Sequence, residues 1–301
     1  IVSGGYPVVA VVTSPDKPAG RGLKEQQSAV KKAAEARDIP VLQPVSLKDP
    51  SFLDQLASFR PELQVVIAFR MLPREVWALP PLGTFNLHAS LLPQYRGAAP
   101  INRAIMNGET ETGVTTFFLN DKIDEGKILF REKVFIGEEE TAGELHDRLM
   151  TAGAELVLRT IESIVAGPVA CTEQGSLPDG HAVLKQAPKI FKEDCRISWD
   201  QDVYTVHNFI RGLSPHPGAF TVLLLPDGSR QVLKVFRTRP GGKVTGHQPG
   251  EILTDGKTFL RVVAKNGILD ILTLQLSGRK VLNTEDFLRG FGKVVAETRA
   301  I

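Results

Sequence analysis

An amide and an imidazole stand two residues apart in the segment FNLHASLLPQYRGAAP (85–100), where Asn86 and His88 close an apolar run. If the run is a strand, residues i and i+2 project from one face, so both side chains point at one spot. An Asn amide and a protonated His can each donate to an oxygen as it becomes negative. One such donor is worth roughly 3 kcal/mol to an acyl-transfer transition state. The imidazole then needs a carboxylate to orient it and favour its charged form. Asp121 and Asp124, in LNDKIDEGKI (119–128), are the candidates, with Glu125 adjacent. A single strand-end histidine also serves as a hydrogen-bonded structural residue, so the pair alone leaves both readings open.

The elements around this segment alternate. PVVAVVTS (7–14), IPVLQP (39–44), LQVVIAF (63–69), GTFNLHAS (83–90) and TGVTTFFLN (112–120) read as strands. Helical spacing covers 28–38 and 49–61, the second running from an Asp/Ser start to a Pro stop; 99–108 has Pro near its start and Gly after its end. The segment 141–167 reads as one or two long amphipathic helices. Strands separated by helices imply right-handed βαβ units and a doubly wound, Rossmann-like parallel sheet, an α/β fold. Residues 173–189 are rich in Pro, Gly and polar side chains and read as a linker. Beyond a short helix near 202–212, strands are expected at GAFTVLLL, RQVLKVFRT, GEILTD, FLRVVAKNG and ILDILTLQL, separated by turn signals such as PDGS and TDGK. Five short strands at that spacing suggest a small OB-like β-barrel. The expected domains are 1–170, a linker at 171–189, and 190–301.

Composition narrows the classes. A formal charge of +2, from 36 basic and 34 acidic residues, gives no global electrostatic footprint, so a polyanionic partner must be met by local basic patches. The two cysteines, Cys171 and Cys195, come without a C-x-x-C and without an Asn-x-Ser/Thr sequon. That argues against a secreted disulfide scaffold and for the cytoplasm. The five other histidines (146, 181, 207, 216 and 247) lack metal-ligand spacing, and no metal is expected. No apolar stretch approaches the ~18 residues of a membrane span, and the opening IVSGGYPVVAVV lacks a charged n-region and a cleavage site. G-x-G-x-x-G, P-loop, H-E-x-x-H and G-x-S-x-G motifs are absent, so the fold alone implies no dinucleotide, NTP, zinc peptidase or serine hydrolase function.

The ordered string NLHASLLPQYRGAAPINRAI (86–105), with ETGVTTFFLNDKIDEGKIL (111–129) downstream, resembles the folate-dependent formyltransferases. Their shared signature is Asn-x-His, Ser-Leu-Leu-Pro, Arg-Gly and an Asp in the loop after the next strand. The resemblance implies a catalytic trio of Asn86, His88 and Asp124 and leaves Asp121 outside the pattern. It implies tetrahydrofolate contacts from Ser90, Leu91, Leu92 and Pro93, and a pterin pocket framed by Phe69, Arg70, Met71 and Leu72. The co-substrate it implies is 10-formyltetrahydrofolate. Two further features are similar to the branch acting on methionyl-tRNA: the basic loop TSPDKPAGRGLK (13–24), and the segments APKIFKEDCRISW, RGLSPHPGAF and QLSGRKVLNTEDFLRG, which look like that branch's linker end and barrel. They imply initiator methionyl-tRNA as partner, with no membrane contact and no obligate protein partner.

In that reading Lys17, Arg21 and Lys24, spaced by Pro and Gly, form a cationic finger on phosphates. In the barrel, Lys234, Arg237 and Arg239, flanked by Arg230 and Lys243, build a second basic set that could track the tRNA. The expected chemistry is attack of the neutral α-amine on the formyl carbon, with the oxyanion held by Asn86 and protonated His88 and Asp124 orienting the imidazole.

Two departures stand out. The family pattern begins with a strand and a Gly-Thr-Pro-x-Phe-Ala segment, whereas this sequence opens on IVSGGYPVV, so residues ahead of Ile1 are expected. The basic loop ends in KEQQSAVK where a Pro-containing run is expected. The competing readings are a formyltransferase for an amino-sugar nucleotide, which has no use for a cationic finger, and a non-catalytic RNA-binding protein.

Overall fold

A computed structural model describes residues 1–19, 24–176, 183–295 and 298–301. After a 3-10 turn at Val2–Gly4, strand β1 (Val11–Val12) leads into the antiparallel ribbon of β2 (Lys17–Ala19) and β3 (Lys24–Gln26). Helix α1 (Ala29–Glu35) starts at Ser28, whose hydroxyl accepts from the Lys31 amide, and is followed by β4 (Val41–Leu42). Helix α2 (Pro50–Ser58) is capped by Asp49 and has Pro in its first turn, as a sequence start signal should. Then come β5 (Gln64–Ile67), α3 (Arg74–Trp77), β6 (Thr84–His88), β7 (Arg96–Gly97), α4 (Pro100–Met106), β8 (Glu111–Phe118), β9 (Ile128–Phe135) and one continuous helix, α5 (Ala142–Ala166). A reciprocal capping box opens α5: the Thr141 amide donates to the Glu144 carboxylate and the Glu144 amide to the Thr141 hydroxyl.

Two parallel pairs, β1 with β4 and β5 with β6, are each joined through a helix, as βαβ units require, and β7 (Arg96–Gly97) pairs parallel with residues 186–187. The fold class is therefore the expected one. Two details differ. Within 7–14 only Val11–Val12 are ladder residues, because the partner β4 is itself two residues long. Strand β8 joins β6 antiparallel, with Phe85 opposite Phe118 and His88 opposite Thr115. The strand–helix alternation of the sequence does not foretell that reversal. Strand β9 completes the order β5-β6-β8-β9.

Two compact units form, neither contiguous in sequence: Ile1–Pro93, Val114–Glu132 and Thr151–Val183 in the first; Gln94–Gly113, Lys133–Met150 and Leu184–Ile301 in the second. The linear division at 170 and 190 differs from this because β8, β9 and α5 each run from one unit into the other. In the first unit Phe85, Leu129, Val157, Ile161 and Ile164 pack together, and a second cluster holds Leu42, Leu47, Phe52, Leu56 and Val76. Fully burying such side chains contributes roughly 1.5–3 kcal/mol each.

The second unit contains β10 (Gln186–Ala187), α6 (Val203–Gly212), β11 (Ala219–Leu224), β12 (Arg230–Pro240), β13 (Ile252–Thr254), β14 (Leu260–Val263), β15 (Ile268–Leu276), β16 (Leu282–Asn283), α7 (Thr284–Val295) and β17 (Arg299–Ala300). The sheet order is β13-β14-β15-β12-β11-β17, and a bridge from Arg299 back to Glu251, just ahead of β13, nearly closes it into a barrel. Gly250 permits that closure: its φ is +83°, and a Cβ there would lie 2.2 Å from the Ala300 carbonyl oxygen. Five strands lie where the sequence places them, and β16, α7 and β17 are additional. Val203, Val206 and Ile210 form the apolar stripe of α6, packed in one core with Val235, Leu269 and Leu274 of the barrel.

Candidate active site

Asn86 and His88 lie on the same face of β6, as the period-2 geometry requires. His88 is 6% exposed, and its Nδ1 is 3.9 Å from Asp124 Oδ2. That is ion-pair distance, longer than a hydrogen bond, and catalytic contacts of this kind commonly tighten only once substrate is bound. The Asn86 Oδ1 is buried with no hydrogen-bond partner. An orphaned buried acceptor costs about 1–3 kcal/mol, which a ligand donor can recover.

Of the two aspartates open in the sequence, Asp124 is the one that faces His88. Asp121 is exposed, and Glu125 faces Lys122 at 3.6 Å. Asp124 sits in the left-handed region, at φ 54°, in the turn between β8 and β9. Two features fix that turn. Gly126 presses against the preceding strand so closely that a Cβ would meet the Phe118 carbonyl oxygen at 1.6 Å. Gln174, 4% exposed, donates from Nε2 to the Asp124 and Gly126 carbonyls at 2.8 and 2.9 Å.

The Ser90–Pro93 segment leaves β6 through a buried clasp. Thr115, fully buried, donates from Oγ1 to the Ser90 carbonyl at 2.6 Å and accepts from the Leu92 amide at 3.2 Å. Arg131 Nη1 donates to the Leu92 carbonyl at 3.2 Å. Ser90 and Leu92 are themselves 0% exposed and Pro93 is buried as well, so Leu91 is the more open member of the four. The Phe69–Leu72 segment divides similarly. Phe69 and Leu72 pack against the cluster of Leu42 and Phe52, and Arg70 donates to the Pro44 and Val45 carbonyls at 2.6 and 2.9 Å. Met71 is 67% exposed.

The basic residues separate into three groups. Arg21 lies outside the described residues; Lys17 and Lys24 belong to β2 and β3, whose backbones pair at the root of the loop. On β12, simple alternation would put Lys234 and Arg237 on opposite faces, but register shifts between Val235 and Thr238 turn both outward with Arg239. Lys234 Nζ donates to the Pro217 carbonyl at 2.9 Å, and Arg237 is ion-paired with Glu144. Arg239 is exposed opposite Asp270, whose carboxylate accepts from Arg261 at 2.6 Å. Among the described residues no group of His, Cys, Asp and Glu side chains could hold a metal ion, and no helix is long and apolar enough to cross a membrane.

Comparison with known proteins decides the family. Residues 3–161 match the family model described as formyl transferase, and residues 189–292 match the formyl transferase C-terminal domain. Methionyl-tRNA formyltransferase from Bacteroides fragilis is 51% identical over 291 residues, covering 97% of this chain and 90% of that protein. The Porphyromonas gingivalis enzyme of the same name is 50% identical over 293 residues, with the same coverage. The chain belongs to the methionyl-tRNA formyltransferase family. As a member, it is a formyl-transferring enzyme. Among solved structures, HypX from Aquifex aeolicus in complex with tetrahydrofolic acid aligns with a TM-score of 0.61 at 22% identity, over 86% of this chain and 44% of that one. The sugar 3N-formyl transferase WlaRD aligns with a TM-score of 0.59 at 17% identity, over 90% and 88%. Both share the fold. Around these candidate residues, sequence reasoning missed Thr115, Arg131 and Gln174, whose partners are 23 to 50 residues away along the chain.

Proposed function

We propose that the protein transfers the formyl group of 10-formyltetrahydrofolate to the α-amine of methionyl-initiator tRNA, in the cytoplasm, for translation initiation. The observation that carries this reading is one strand face presenting Asn86, with a buried unpartnered amide oxygen, beside His88, whose imidazole faces Asp124 at 3.9 Å. Relatives about half identical over nearly the whole chain support the tRNA substrate. The sugar transferase likeness is one of fold alone, so the amino-sugar reading is not favoured, and neither is a non-catalytic role.

The residues fit a folate co-substrate. The orphaned Asn86 oxygen offers an acceptor, and the segment beside it, Ser90 to Pro93, is held rigid by the Thr115 clasp, with Leu91 its more open member. Folate brings a formyl group on nitrogen, already activated toward an amine nucleophile. The Asn86 amide nitrogen donates to the carbonyl oxygen as the α-amine adds to the formyl carbon, and protonated His88 is the second donor. Asp124 orients the imidazole. As the old C–N bond breaks, the proton lost by the attacking amine passes through His88 or water to the leaving nitrogen. Residues 1–170 carry this chemistry, with Met71 of the Phe69–Leu72 segment open toward the pterin. The loop bearing Lys17, Arg21 and Lys24, and the barrel face bearing Lys234, Arg237 and Arg239, meet tRNA phosphates.

The test is single-turnover formylation with 10-formyltetrahydrofolate and either methionyl-initiator tRNA or an amino-sugar nucleotide. Asn86→Ala and Asp124→Asn should each lower kcat on methionyl-tRNA by on the order of 100-fold while the protein stays folded. Wild-type turnover in both variants, or product only from the sugar nucleotide, refutes the reading.

A further inference from the structure

Asp124 is the member of the catalytic trio that β6 does not carry. Asn86 and His88 are fixed by a strand paired on both sides, whereas Asp124 stands in a turn and holds a left-handed backbone conformation. Its 3.9 Å approach to His88 therefore depends on whatever fixes the turn.

Gln174 is placed to do this. Two residues ahead of it, the main chain of Thr172 is pinned to the first residue of β9 by a reciprocal pair: Ile128 N donates to the Thr172 carbonyl at 2.8 Å, and Thr172 N to the Ile128 carbonyl at 2.9 Å. A single 3-10 turn, Gln174–Ser176, then directs the Gln174 side chain back to the Asp124 turn. There both amide hydrogens are used, one on the Asp124 carbonyl at 2.8 Å and one on the Gly126 carbonyl at 2.9 Å. The fork needs two donors on one nitrogen. A carboxylate of the same shape has none and would face two carbonyl oxygens. The 4% exposure of Gln174 keeps water from replacing the fork, and the absence of room for a Cβ at Gly126 leaves the turn little freedom to find another arrangement.

We propose that Gln174 is a positioning residue for catalysis: by forking the Asp124 and Gly126 carbonyls it holds the Asp124 carboxylate facing His88. The inference rests on the catalytic reading of Asp124. Gln174 touches no substrate and acts through the turn.

The experiment is a double-mutant cycle on the full-length protein, with steady-state formylation of methionyl-initiator tRNA from 10-formyltetrahydrofolate. Gln174→Met and Gln174→Glu should each lower kcat by about tenfold, with KM for both substrates changed less than twofold. Combined with Asp124→Asn, Gln174→Met should cause no further loss, because the carboxylate it positions is already gone. The His88 ring resonances of Gln174→Met should shift toward their positions in Asp124→Asn, a readout independent of turnover and available even if Gln174→Glu fails to fold. Losses that multiply in the double variant, or full kcat in Gln174→Met alongside a slow Asp124→Asn, overturn the positioning role. Wild-type turnover in Asp124→Asn itself would instead refute the catalytic assignment beneath it.

Discussion

Replacing Thr115 by Val tests whether the Ser90–Pro93 segment is held for folate. The side chain is fully buried, and its hydroxyl both donates to the Ser90 carbonyl at 2.6 Å and accepts from the Leu92 amide at 3.2 Å. Val keeps the branched shape and removes both bonds. The Leu92 amide, in a residue that is 0% exposed, then loses its hydrogen bond at about 1–3 kcal/mol, and the Ser90 bond was worth about 1 kcal/mol more. Burying a methyl in place of a hydroxyl offsets about 0.8 kcal/mol. The net loss is about 2 kcal/mol, read as a lower urea midpoint at unchanged m-value. If folate binds the segment only in its clasped form, the same energy appears as up to about 30-fold weaker folate binding, measured by fluorescence titration. Thr115→Ser, which keeps the hydroxyl, should retain folate affinity while losing a methyl's worth of packing. A Thr115→Val protein that binds folate as tightly as wild type and loses under about 0.5 kcal/mol would refute the clasp.

Two further outcomes are expected. On the barrel, Arg237 is already paired with Glu144 whereas Arg239 is in no ion pair among the described residues, so Arg239→Ala should reduce the slope of log K against log salt for tRNA binding by nearly one unit. Arg237→Ala should change the slope less; equal slopes in wild type and Arg239→Ala would remove Arg239 from the interface. In α6, burial pushes the His207 imidazole below its ordinary value of 6.5, against the opposing pull of the Glu138 carbonyl and Glu139 and with the help of Arg211. The folded state resists a proton that the unfolded state accepts, so stability should fall as pH drops below about 6.5, by at most about 1.4 kcal/mol per pH unit. His207→Gln should remove that part of the slope in urea unfolding at pH 7.5, 6.5 and 5.5, and an unchanged slope would show that His207 titrates alike in both states.

What the sequence made legible was local. Asn86 and His88 could be paired because a strand repeats every two residues, and α1 and α2 could be placed because Ser28 and Asp49 announce their starts. The barrel strands were readable because turn signals separate them. Groups that work across the chain left no such mark. Thr115 lies in TGVTTFFLN, where a β-branched residue needs no explanation beyond strand propensity, and Gln174 lies in a polar stretch that reads as linker. The bulge that turns Arg237 outward with Lys234 on β12 was not legible, because a bulge carries no signature when Gly is absent. These omissions share a physical origin: side chains that bond to distant backbone carbonyls are chosen by three-dimensional geometry, and the same residue types are unremarkable locally.

The difference bears on catalysis, because the two kinds of residue answer for different distances. The spacing between Asn86 and His88 is set by covalent strand geometry and survives almost any substitution elsewhere in the unit. The spacing between His88 and Asp124 is set by hydrogen bonds from Gln174 and by the contact of Gly126 with Phe118, each of which one substitution can abolish. A transition state that needs a charged imidazole is sensitive to the second distance, since a charge interaction falls off with separation and with the entry of water. Activity in this protein should therefore be lost more readily through residues that hold the Asp124 turn than through residues that pack behind β6, although a survey of motifs would rank them the other way.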